Sequence, residues 1–279
     1  MRALALLLAL PFAVLAADKP AAEPPINAGP YVPSPQSVVA DMLKLADIGP
    51  NDFVVDLGSG DGRIVLTAAK VFGASGFGVE IRDELVKLSN EAARKEGVAD
   101  RVKFIKADLF KTDISRATVL TMYLLPNTVN MLKEKLLNEL KPGTKVLSHD
   151  YPVTGWIPEK YVQWDLEDKV KISGVTTTLI YLYMVPAKVH GNWRATVPAS
   201  VGKGPLSLSL RQQVTRVSGS AKLDGKDVAL DDLKIHGEQI SFALPAKNAA
   251  FTGTVKGDSI EGIVAAGGAK ASWSAKLVH

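Results

Sequence analysis

A glycine-rich loop between a run of apolar residues and a helical pattern constrains this sequence more than any other feature. The apolar run is Phe53-Val54-Val55-Asp56-Leu57, and the loop after it is Gly58-Ser59-Gly60-Asp61-Gly62. Glycine permits tight turns and lets a ligand approach the backbone closely, so a strand that continues into a helix through such a loop predicts a binding site at the junction. The GxGxG spacing differs from the GxGxxG spacing of dinucleotide-binding loops.

Alternating strand and helix patterns extend over residues 53–149 and indicate an α/β fold. Strands are predicted at Phe53–Leu57, Phe77–Glu80, Val102–Ala107, Thr118–Tyr123 and Thr144–His149, and helices at Arg63–Phe72, Asp83–Glu96 and Thr128–Leu140. Repeated units of this length predict a parallel sheet covered by helices on both faces. Two β-rich runs at Tyr161–Leu166 and Val175–Val185 follow, with no helix predicted between them. They predict an antiparallel hairpin at the edge of a seven-stranded sheet.

Three acidic residues lie at or near the ends of predicted strands. Asp56 lies within the first strand, Glu80 ends the second and Asp108 follows the third. Ligands of open α/β sheets bind at the carboxyl ends of the strands, where these side chains converge. A carboxylate in the position of Glu80 can accept both hydroxyls of a ribose, and Asp108 can accept a hydrogen bond from an adenine amino group.

A second pattern begins near Lys188, where helical periodicity ends. Short runs that alternate apolar with polar residues recur from there to the C-terminus, as in Leu206–Leu210 and Ile240–Leu244, and turn residues separate them. About eight short strands fit into residues 188–279, which predicts a small antiparallel barrel or sandwich. Its aromatic residues Trp193, Phe242, Phe251 and Trp273 are expected in the core. We therefore expect one domain over residues 31–187 and a second, all-β domain of unassigned role over residues 188–279.

The N-terminus has the pattern of a secretory signal peptide. Arg2 precedes the apolar run Ala3–Leu15, and the small residues Val14 and Ala16 suit a cleavage site. Residues 1–16 are therefore predicted to be removed from an exported, periplasmic or secreted protein that keeps no transmembrane segment; an uncleaved anchor is the alternative. Residues 17–30 are rich in Pro and Ala and predict a linker.

The cysteine and charge counts exclude several kinds of function. The chain contains no Cys, which excludes disulfides, thiolate catalysis and zinc–thiolate sites, and no metal site is expected. The 33 Lys and Arg residues exceed the 29 Asp and Glu residues by only four, and the two kinds are interspersed along the sequence. This distribution does not predict a nucleic-acid partner.

The glycine loop and the three acids resemble those of class I S-adenosylmethionine-dependent methyltransferases. A narrower resemblance rests on Tyr31-Val32-Pro33-Ser34-Pro35, on Asp56–Ile64 and on Tyr123-Leu124-Leu125-Pro126-Asn127. These segments resemble the small protein-lysine methyltransferases, a branch that includes the enzymes that modify the c-subunit of ATP synthase. The resemblance covers rather more than half of the chain. It implies that S-adenosyl-L-methionine is the cofactor and that a protein lysine is the acceptor.

Carried over to this sequence, the resemblance implies a lid over the methionine end of the cofactor at Tyr31–Ser34 and a methyl-transfer channel at Tyr123–Asn127. The cofactor-binding residues that it implies are Tyr31, Pro33, Asp56, Gly58, Ser59, Gly60, Gly62, Glu80 and Asp108. The sequence lacks the Asn/Asp-Pro-Pro-Tyr tetrapeptide with which many amino-group methyltransferases hold their acceptor, which leaves the acceptor open.

A sulfonium methyl group is already activated, so the protein has to align the acceptor with it and exclude water. A lysine acceptor must also be uncharged, and a nearby side chain can assist this. Tyr123, which ends the fourth predicted strand, and Asp150, which follows the fifth, are the expected catalytic residues. Two other functions remain open. One is an exported binding protein that does no catalysis, and the other is a methyltransferase that acts on a small-molecule amine.

Overall fold

The computed structural model describes residues 31–279, apart from three side chains between positions 168 and 173. The predicted signal peptide at 1–16 and the linker at 17–30 lie outside the described residues. Two β-sheets form successive parts of the chain. Across the described range, no helix has the length and apolar character needed to cross a membrane.

Seven strands and five helices form the first part. The strands are β1 (Phe53–Leu57), β2 (Ser75–Glu80), β3 (Val102–Lys106), β4 (Val119–Met122), β5 (Lys145–His149), β6 (Lys160–Asp165) and β7 (Thr177–Met184). The helices are α1 (Gln36–Leu45), α2 (Arg63–Phe72), α3 (Asp83–Lys95), α4 (Pro126–Glu139) and α5 (Glu167–Ser173). The strand order is β3-β2-β1-β4-β5-β7-β6, and β7 runs antiparallel to both of its neighbours, β5 and β6. This confirms the predicted seven-stranded α/β sheet with an antiparallel edge.

The central strands are apolar because both faces of the sheet are covered. Every residue of β4 is buried, and β1 is buried from Val54 to Leu57. Helix α2 begins after Gly62 and ends at Gly73, and both glycines have positive φ, at 82° and 73°. A left-handed residue after the last turn is the usual way to end a helix, which explains why Gly73 marks its end in the sequence.

Helix α5 corrects the prediction that no helix separates the two edge strands. It has seven residues and ends at Gly174, which has a φ of 78°. A helix this short has too few turns to display a period, and short helices owe their stability to tertiary contacts. Lys169 supplies such contacts here, because its side chain is only 2% exposed and is bound within the first part of the chain.

Nine antiparallel strands form the second sheet, one more than expected. They are β8 (Gly191–Thr196), β9 (Leu206–Gln213), β10 (Arg216–Leu223), β11 (Lys226–Val228), β12 (Asp231–His236), β13 (Gln239–Leu244), β14 (Ala249–Lys256), β15 (Ser259–Ala266) and β16 (Ala269–Val278). Their order is β11-β10-β9-β8-β16-β15-β14-β13-β12, and the sheet curls so that β10 and β12 come into contact. The shortest of them is β11, which has only three residues.

The second sheet surrounds its own hydrophobic core. That core contains Trp193, Phe242, Phe251 and Trp273, which are at most 3% exposed, and this confirms that these aromatic residues pack as core. Two other clusters lie on the faces of the first sheet. Polar contacts join the two parts, including the bond that Ala187 N donates to Gly237 O at 2.7 Å. A domain boundary at residues 187/188 stays a prediction.

Candidate active site

A cavity of about 690 Å³ lies at the carboxyl edge of the first sheet. Its walls come from four strand ends and from the N-terminal segment: residues 31–34, 58–61, 79–82, 107–109 and 123–124 line it, with Asp56, Arg63 and Ile64. This is where open α/β sheets bind ligands, and the volume is that of a small-molecule site. Nine of the predicted site residues line this cavity: Tyr31, Pro33, Asp56, Gly58, Ser59, Gly60, Glu80, Asp108 and Tyr123.

The glycine loop passes directly beneath the N-terminal segment. Its first two backbone amides, those of Gly58 and Ser59, donate to the carbonyl oxygen of Val79 at 2.9 Å each. Gly60 has a φ of 53°, and a Cβ on this residue would lie 2.5 Å from a ring carbon of Tyr31. The tyrosine ring therefore rests on the loop at a point where only glycine leaves room for it.

Gly62 is a predicted cofactor-binding residue that does not line the cavity. It precedes α2, and a Cβ there would lie 2.6 Å from the ring of Phe104 and 2.8 Å from Ser89. Its positive φ and these neighbours assign it to the packing of α2 against the sheet.

Glu80 joins the second strand to the glycine loop. Its Oε2 accepts a hydrogen bond from the Gly60 amide at 3.0 Å, and its Oε1 accepts from the amides of Ile81 and Arg82 at 2.9 and 3.0 Å. The carboxylate is 6% exposed, and these three bonds leave one of its four lone pairs, on Oε2, to accept from a ligand. The same side chain thus shapes the loop and offers an acceptor to a ligand.

Asp56 and Asp108 place two further carboxyl groups in the cavity wall. Asp56 is 2% exposed, and its Oδ1 accepts a hydrogen bond from Thr121 Oγ1 at 2.7 Å. Burial is the main reason that the pKa of Asp56 rises to about 7 in the ligand-free protein, and the nearby Asp61 and Glu80 add to the effect. Asp108 Oδ1 accepts from the Phe110 amide at 2.8 Å.

Arg63, which was not among the predicted site residues, fixes the N-terminal segment over the loop. Its Nη1 donates to the carbonyl oxygen of Ser34 at 2.7 Å, and its Nε donates to Asp61 Oδ1 at 2.9 Å. The guanidinium of Arg82 lies over the ring of Tyr31, 5.4 Å from its centroid. The only signal for Arg63 in the sequence is its position directly after the third glycine.

Tyr123 connects the cavity to a buried ion pair. Its hydroxyl donates to Asp150 Oδ2 at 2.8 Å. Lys169 Nζ lies 2.6 and 2.7 Å from the two oxygens of Asp150, and the Leu179 amide donates to Oδ1 at 3.1 Å. Burial would raise the pKa of Asp150, but the neighbouring His149, Lys169 and Tyr123 outweigh it and hold that pKa below its usual value. The carboxylate is therefore ionised and already has its cation.

The position of Asp150 differs from the role expected for it. Asp150 does not line the cavity, and Tyr123 is the member of the predicted catalytic pair that does. Asp150 acts through the tyrosine, because its carboxylate accepts the phenolic hydrogen. No pattern in the sequence indicated Lys169, since the side chain reaches Asp150 from a helix that the sequence did not reveal.

His149 packs against the back of Tyr123. The two rings are stacked with centroids 3.9 Å apart, and His149 Nδ1 lies 2.8 Å from Ser34 Oγ. The imidazole is fully buried, and burial lowers its pKa to about 4. His149 is therefore neutral at physiological pH and links the N-terminal segment to the tyrosine.

The donor and acceptor groups of the cavity suit S-adenosylmethionine. This cofactor presents hydroxyl and amino donors and carries a positive sulfonium. Four carboxyl groups line the cavity, those of Asp56, Asp61, Glu80 and Asp108. Residues Ser59 and Tyr123 also line it. A cavity with this many acceptor groups fits a ligand that presents hydroxyl and amino donors and a positive charge.

Comparison with known proteins places the chain among methyltransferases. The ANTKMT methyltransferase domain family matches residues 56–160. A protein-lysine N-methyltransferase of Saccharolobus islandicus (strain REY15A) is 45% identical over 157 residues, which are 56% of this chain and 93% of that protein. A lysine N-methyltransferase of the ATP synthase c-subunit from Xenopus laevis is 36% identical over 130 residues, but the match spans only 57% of its length and 47% of this chain.

A solved structure shows the same fold in a close relative. The crystal structure of an RNA methyltransferase from Salinibacter ruber in complex with S-adenosyl-L-homocysteine is 44% identical, with a TM-score of 0.51. The match covers 57% of this chain and 96% of that one, and the Saccharolobus match has a similar extent. This chain therefore belongs to the family of S-adenosylmethionine-dependent methyltransferases that includes the protein-lysine N-methyltransferase of Saccharolobus islandicus.

Proposed function

We propose that this methyltransferase transfers the methyl group of S-adenosylmethionine to the side-chain amine of a protein lysine. The names of the Saccharolobus and Xenopus relatives support a lysine acceptor. The observation that carries the proposal is the hydrogen bond from Tyr123 to Asp150. Because the phenolic hydrogen is engaged there, the oxygen of Tyr123 is left as an acceptor at the cavity wall, which suits an N–H donor such as an amine.

The cofactor supplies an activated methyl group, and the residues of this chain supply position and charge. Glu80, Asp56 and Asp108 would hold the cofactor by its hydroxyl and amino groups. Tyr31 would cover it, since its ring lies on the glycine loop. Tyr123 would orient the acceptor nitrogen by accepting one of its hydrogens. Such fixed alignment can lower the barrier of a transfer between two bound groups by about 7–11 kcal/mol.

The acceptor lysine has to lose a proton before it reacts, and the contacts of Asp150 and His149 restrict where that proton goes. Asp150 is neutralised by Lys169, and His149 is buried behind Tyr123. Neither group is free to take the proton from an acceptor in the cavity. We therefore assign the deprotonation to water at the mouth of the cavity, and Asp150 becomes a positioning residue.

RNA is the competing acceptor, because the similar Salinibacter structure is named an RNA methyltransferase. The charge of the cavity favours the amine. The carboxyl groups of Asp61, Glu80 and Asp108 face two arginines there, and Asp56 adds a fourth carboxyl group that is only partly ionised at neutral pH. Both arginines are already paired, Arg63 with Asp61 at 2.5 Å and Arg82 with Glu80 at 3.5 Å. A wall of this charge attracts a cationic side chain and repels a phosphodiester chain.

The test is a transfer assay with radiolabelled S-adenosylmethionine on a cell extract that contains protein and RNA. We expect label in protein, and mass spectrometry of the labelled band should find methylated lysine. Label in RNA alone would overturn the lysine acceptor, and label in a dialysable fraction would indicate a small-molecule amine. The variant Tyr123→Phe serves as the control, because it should bind cofactor and transfer slowly.

We also propose that the protein is exported. The support is the sequence of residues 1–16 alone, with its positive start, its apolar run and its small residues before Ala17. Mass spectrometry of the protein from its native cells tests this. A mature N-terminus at Ala17 is expected, and an intact Met1 in the cytoplasm would contradict it.

A further inference from the structure

The net positive charge of this protein comes from the part of the chain that forms its second sheet. Residues 188–279 contain 12 Lys and Arg against 7 Asp and Glu, whereas residues 1–187 contain 21 against 22. The β-rich part thus has a net charge of +5 and the remainder a net charge of −1. Charge asymmetry of this kind indicates a partner of the opposite sign.

Strand alternation collects much of this charge on one face. The outward-pointing side chains of β9, β10, β8 and β16 form a surface that we call the basic face. The four strands contain no acidic residue. Six exposed cationic side chains lie on this face: Arg194, Arg211, Arg216, Lys222, Lys270 and Lys276. The interspersed pattern of the sequence does not show this, because residues that are distant along the chain become neighbours across strands.

Two of these cations oppose each other directly. Arg194 on β8 pairs in register with Lys276 on β16. Within the described residues, no carboxylate lies within 4.0 Å of either side chain. Like charges at directly opposed positions of an antiparallel pair are destabilising. A surface that retains such a pair forgoes stability that a Glu at either position would provide.

A shallow cavity of about 440 Å³ lies at one end of the basic face. Arg211, Arg216, Ser218 and His190 are among the residues that line it. Guanidinium groups and hydroxyls in one concavity are the groups that bind phosphate esters. The basic face therefore has a concavity that can bind an individual phosphate group, in addition to its general positive potential.

We propose that the basic face docks onto a membrane surface that contains anionic phospholipids. Exposed serines lie between the cations, as with Ser207 on β9 and Ser220 on β10, and they can donate to headgroup oxygens. Basic side chains near such a surface each add to its affinity. The β-rich part would thereby hold the methyltransferase beside acceptors at a membrane.

The composition of the face favours lipid over nucleic acid. Proteins that bind single-stranded nucleic acid combine a positive groove with aromatic side chains on which bases stack. The four strands of the basic face carry no exposed aromatic residue within the part of the chain that the structure describes, since Trp193 and Trp273 point into the core. A broad, aromatic-free sheet surface suits an array of headgroups better than a chain of bases.

The test is sedimentation of the full chain with phosphatidylcholine vesicles, with and without phosphatidylglycerol. We expect binding only to the anionic vesicles and a decline with added salt. The double variant Arg194→Glu/Lys276→Glu should lose at least about tenfold in partition coefficient. The matched control is Lys234→Glu/Lys256→Glu, which makes the same charge change at exposed positions on β12 and β14 and should retain binding.

Three results would overturn the proposal. One is binding no stronger to anionic than to neutral vesicles, and another is an equal loss in both double variants. The third is RNA binding that depends on Arg194 and Lys276 in the absence of vesicle binding, which would assign the face to nucleic acid. The single variant Lys276→Glu adds a check on folding, because it should raise Tm through a cross-strand ion pair with Arg194 while it weakens vesicle binding.

Discussion

Asp150 accepts the phenolic hydrogen of Tyr123 across 2.8 Å while it forms a buried ion pair with Lys169. The tyrosine faces the cavity and the ion pair lies behind it. The position of the phenol oxygen is therefore set by residues that do not touch the cavity, and the three side chains act as one unit. Substitutions in this unit should therefore change the rate of methyl transfer and leave cofactor binding unchanged.

Removal of the phenol oxygen tests the role of Tyr123. In Tyr123→Phe the ring keeps its stack on His149, and Asp150 keeps Lys169, so the fold and the cofactor site are preserved. We expect kcat to fall by about 10- to 100-fold, the equivalent of one hydrogen bond of about 1–3 kcal/mol, with cofactor affinity unchanged. Calorimetric titration and initial-rate kinetics on the same preparation measure both. A kcat close to that of the wild type would mean that the hydroxyl is structural.

Lys169→Met tests whether the ion pair positions Tyr123. The substitution leaves Asp150 with a charge that lacks its main partner, and we expect a loss of roughly 3 kcal/mol in the free energy of unfolding and a lower kcat. The control Lys171→Met changes an exposed lysine of the same helix and should stay within about 0.5 kcal/mol.

A double-mutant cycle decides how Lys169 acts. If Lys169 works through the phenol, its substitution should change kcat little in the Tyr123→Phe background. Independent effects that multiply would show that Lys169 supports the fold without positioning the tyrosine. Lys169→Arg keeps the charge and should recover part of the lost rate.

Gly60→Ala tests the contact between the lid and the loop. A Cβ on Gly60 would lie 2.5 Å from the Tyr31 ring, so the ring has to move, and we expect cofactor affinity to fall about tenfold or more. Gly97→Ala is the control, because Gly97 also has a positive φ, of 70°, but a Cβ there has open space. Both variants should lose about 1 kcal/mol to backbone strain, and only Gly60→Ala should lose affinity. Equal cofactor affinities in the two variants would mean that Tyr31 does not contribute to cofactor binding.

Asp56 and His149 impose opposite pH dependences on the stability of the ligand-free protein. The pKa of Asp56 rises from 3.8 to about 7 on folding, so between these values the folded state binds a proton that the unfolded state lacks. The pKa of His149 falls from 6.5 to about 4, so between these values the unfolded state binds the extra proton. Asp56 thus lowers stability as pH rises, and His149 lowers it as pH falls.

The two contributions nearly cancel between about pH 4 and pH 6.5, and single variants should reveal them. We expect His149→Gln to be less stable at pH 6.5 than at pH 4.5, with a slope of about 1.4 kcal/mol per pH unit. Asp56→Asn should show the opposite slope. Urea unfolding at a series of pH values measures this, with the wild type as the flat reference. Parallel slopes in the two variants would contradict the assignment.

The sequence was sufficient to predict the first sheet, because its strands and helices are long enough to show their periods. The helix that prediction missed, α5, has seven residues, and at that length tertiary contacts decide the conformation. The acids at the strand ends were predictable for a topological reason, since parallel strands bring their carboxyl ends to one edge.

Long-range pairing of side chains was not predictable in the same way. Nothing in the sequence indicates that Lys169 contacts Asp150 or that Arg194 lies opposite Lys276, because each pair forms only when the chain is folded. The interspersed lysines and arginines gave the appearance of an evenly charged surface. Alternation along β8 and β16 instead directs their cationic side chains to one side of the sheet. The distribution of surface charge therefore depends on the strand order.

The hydrophobic clusters are divided between the two sheets, with Val214 packing across to the first sheet. Because few buried apolar contacts join the parts, heating should melt the chain in two calorimetric transitions. A ligand that binds only the native form of one part raises the melting temperature of that part alone. S-adenosylmethionine should therefore move one heat-capacity peak upward and leave the other in place, and the separation of the peaks would report cofactor occupancy without an assay of methyl transfer.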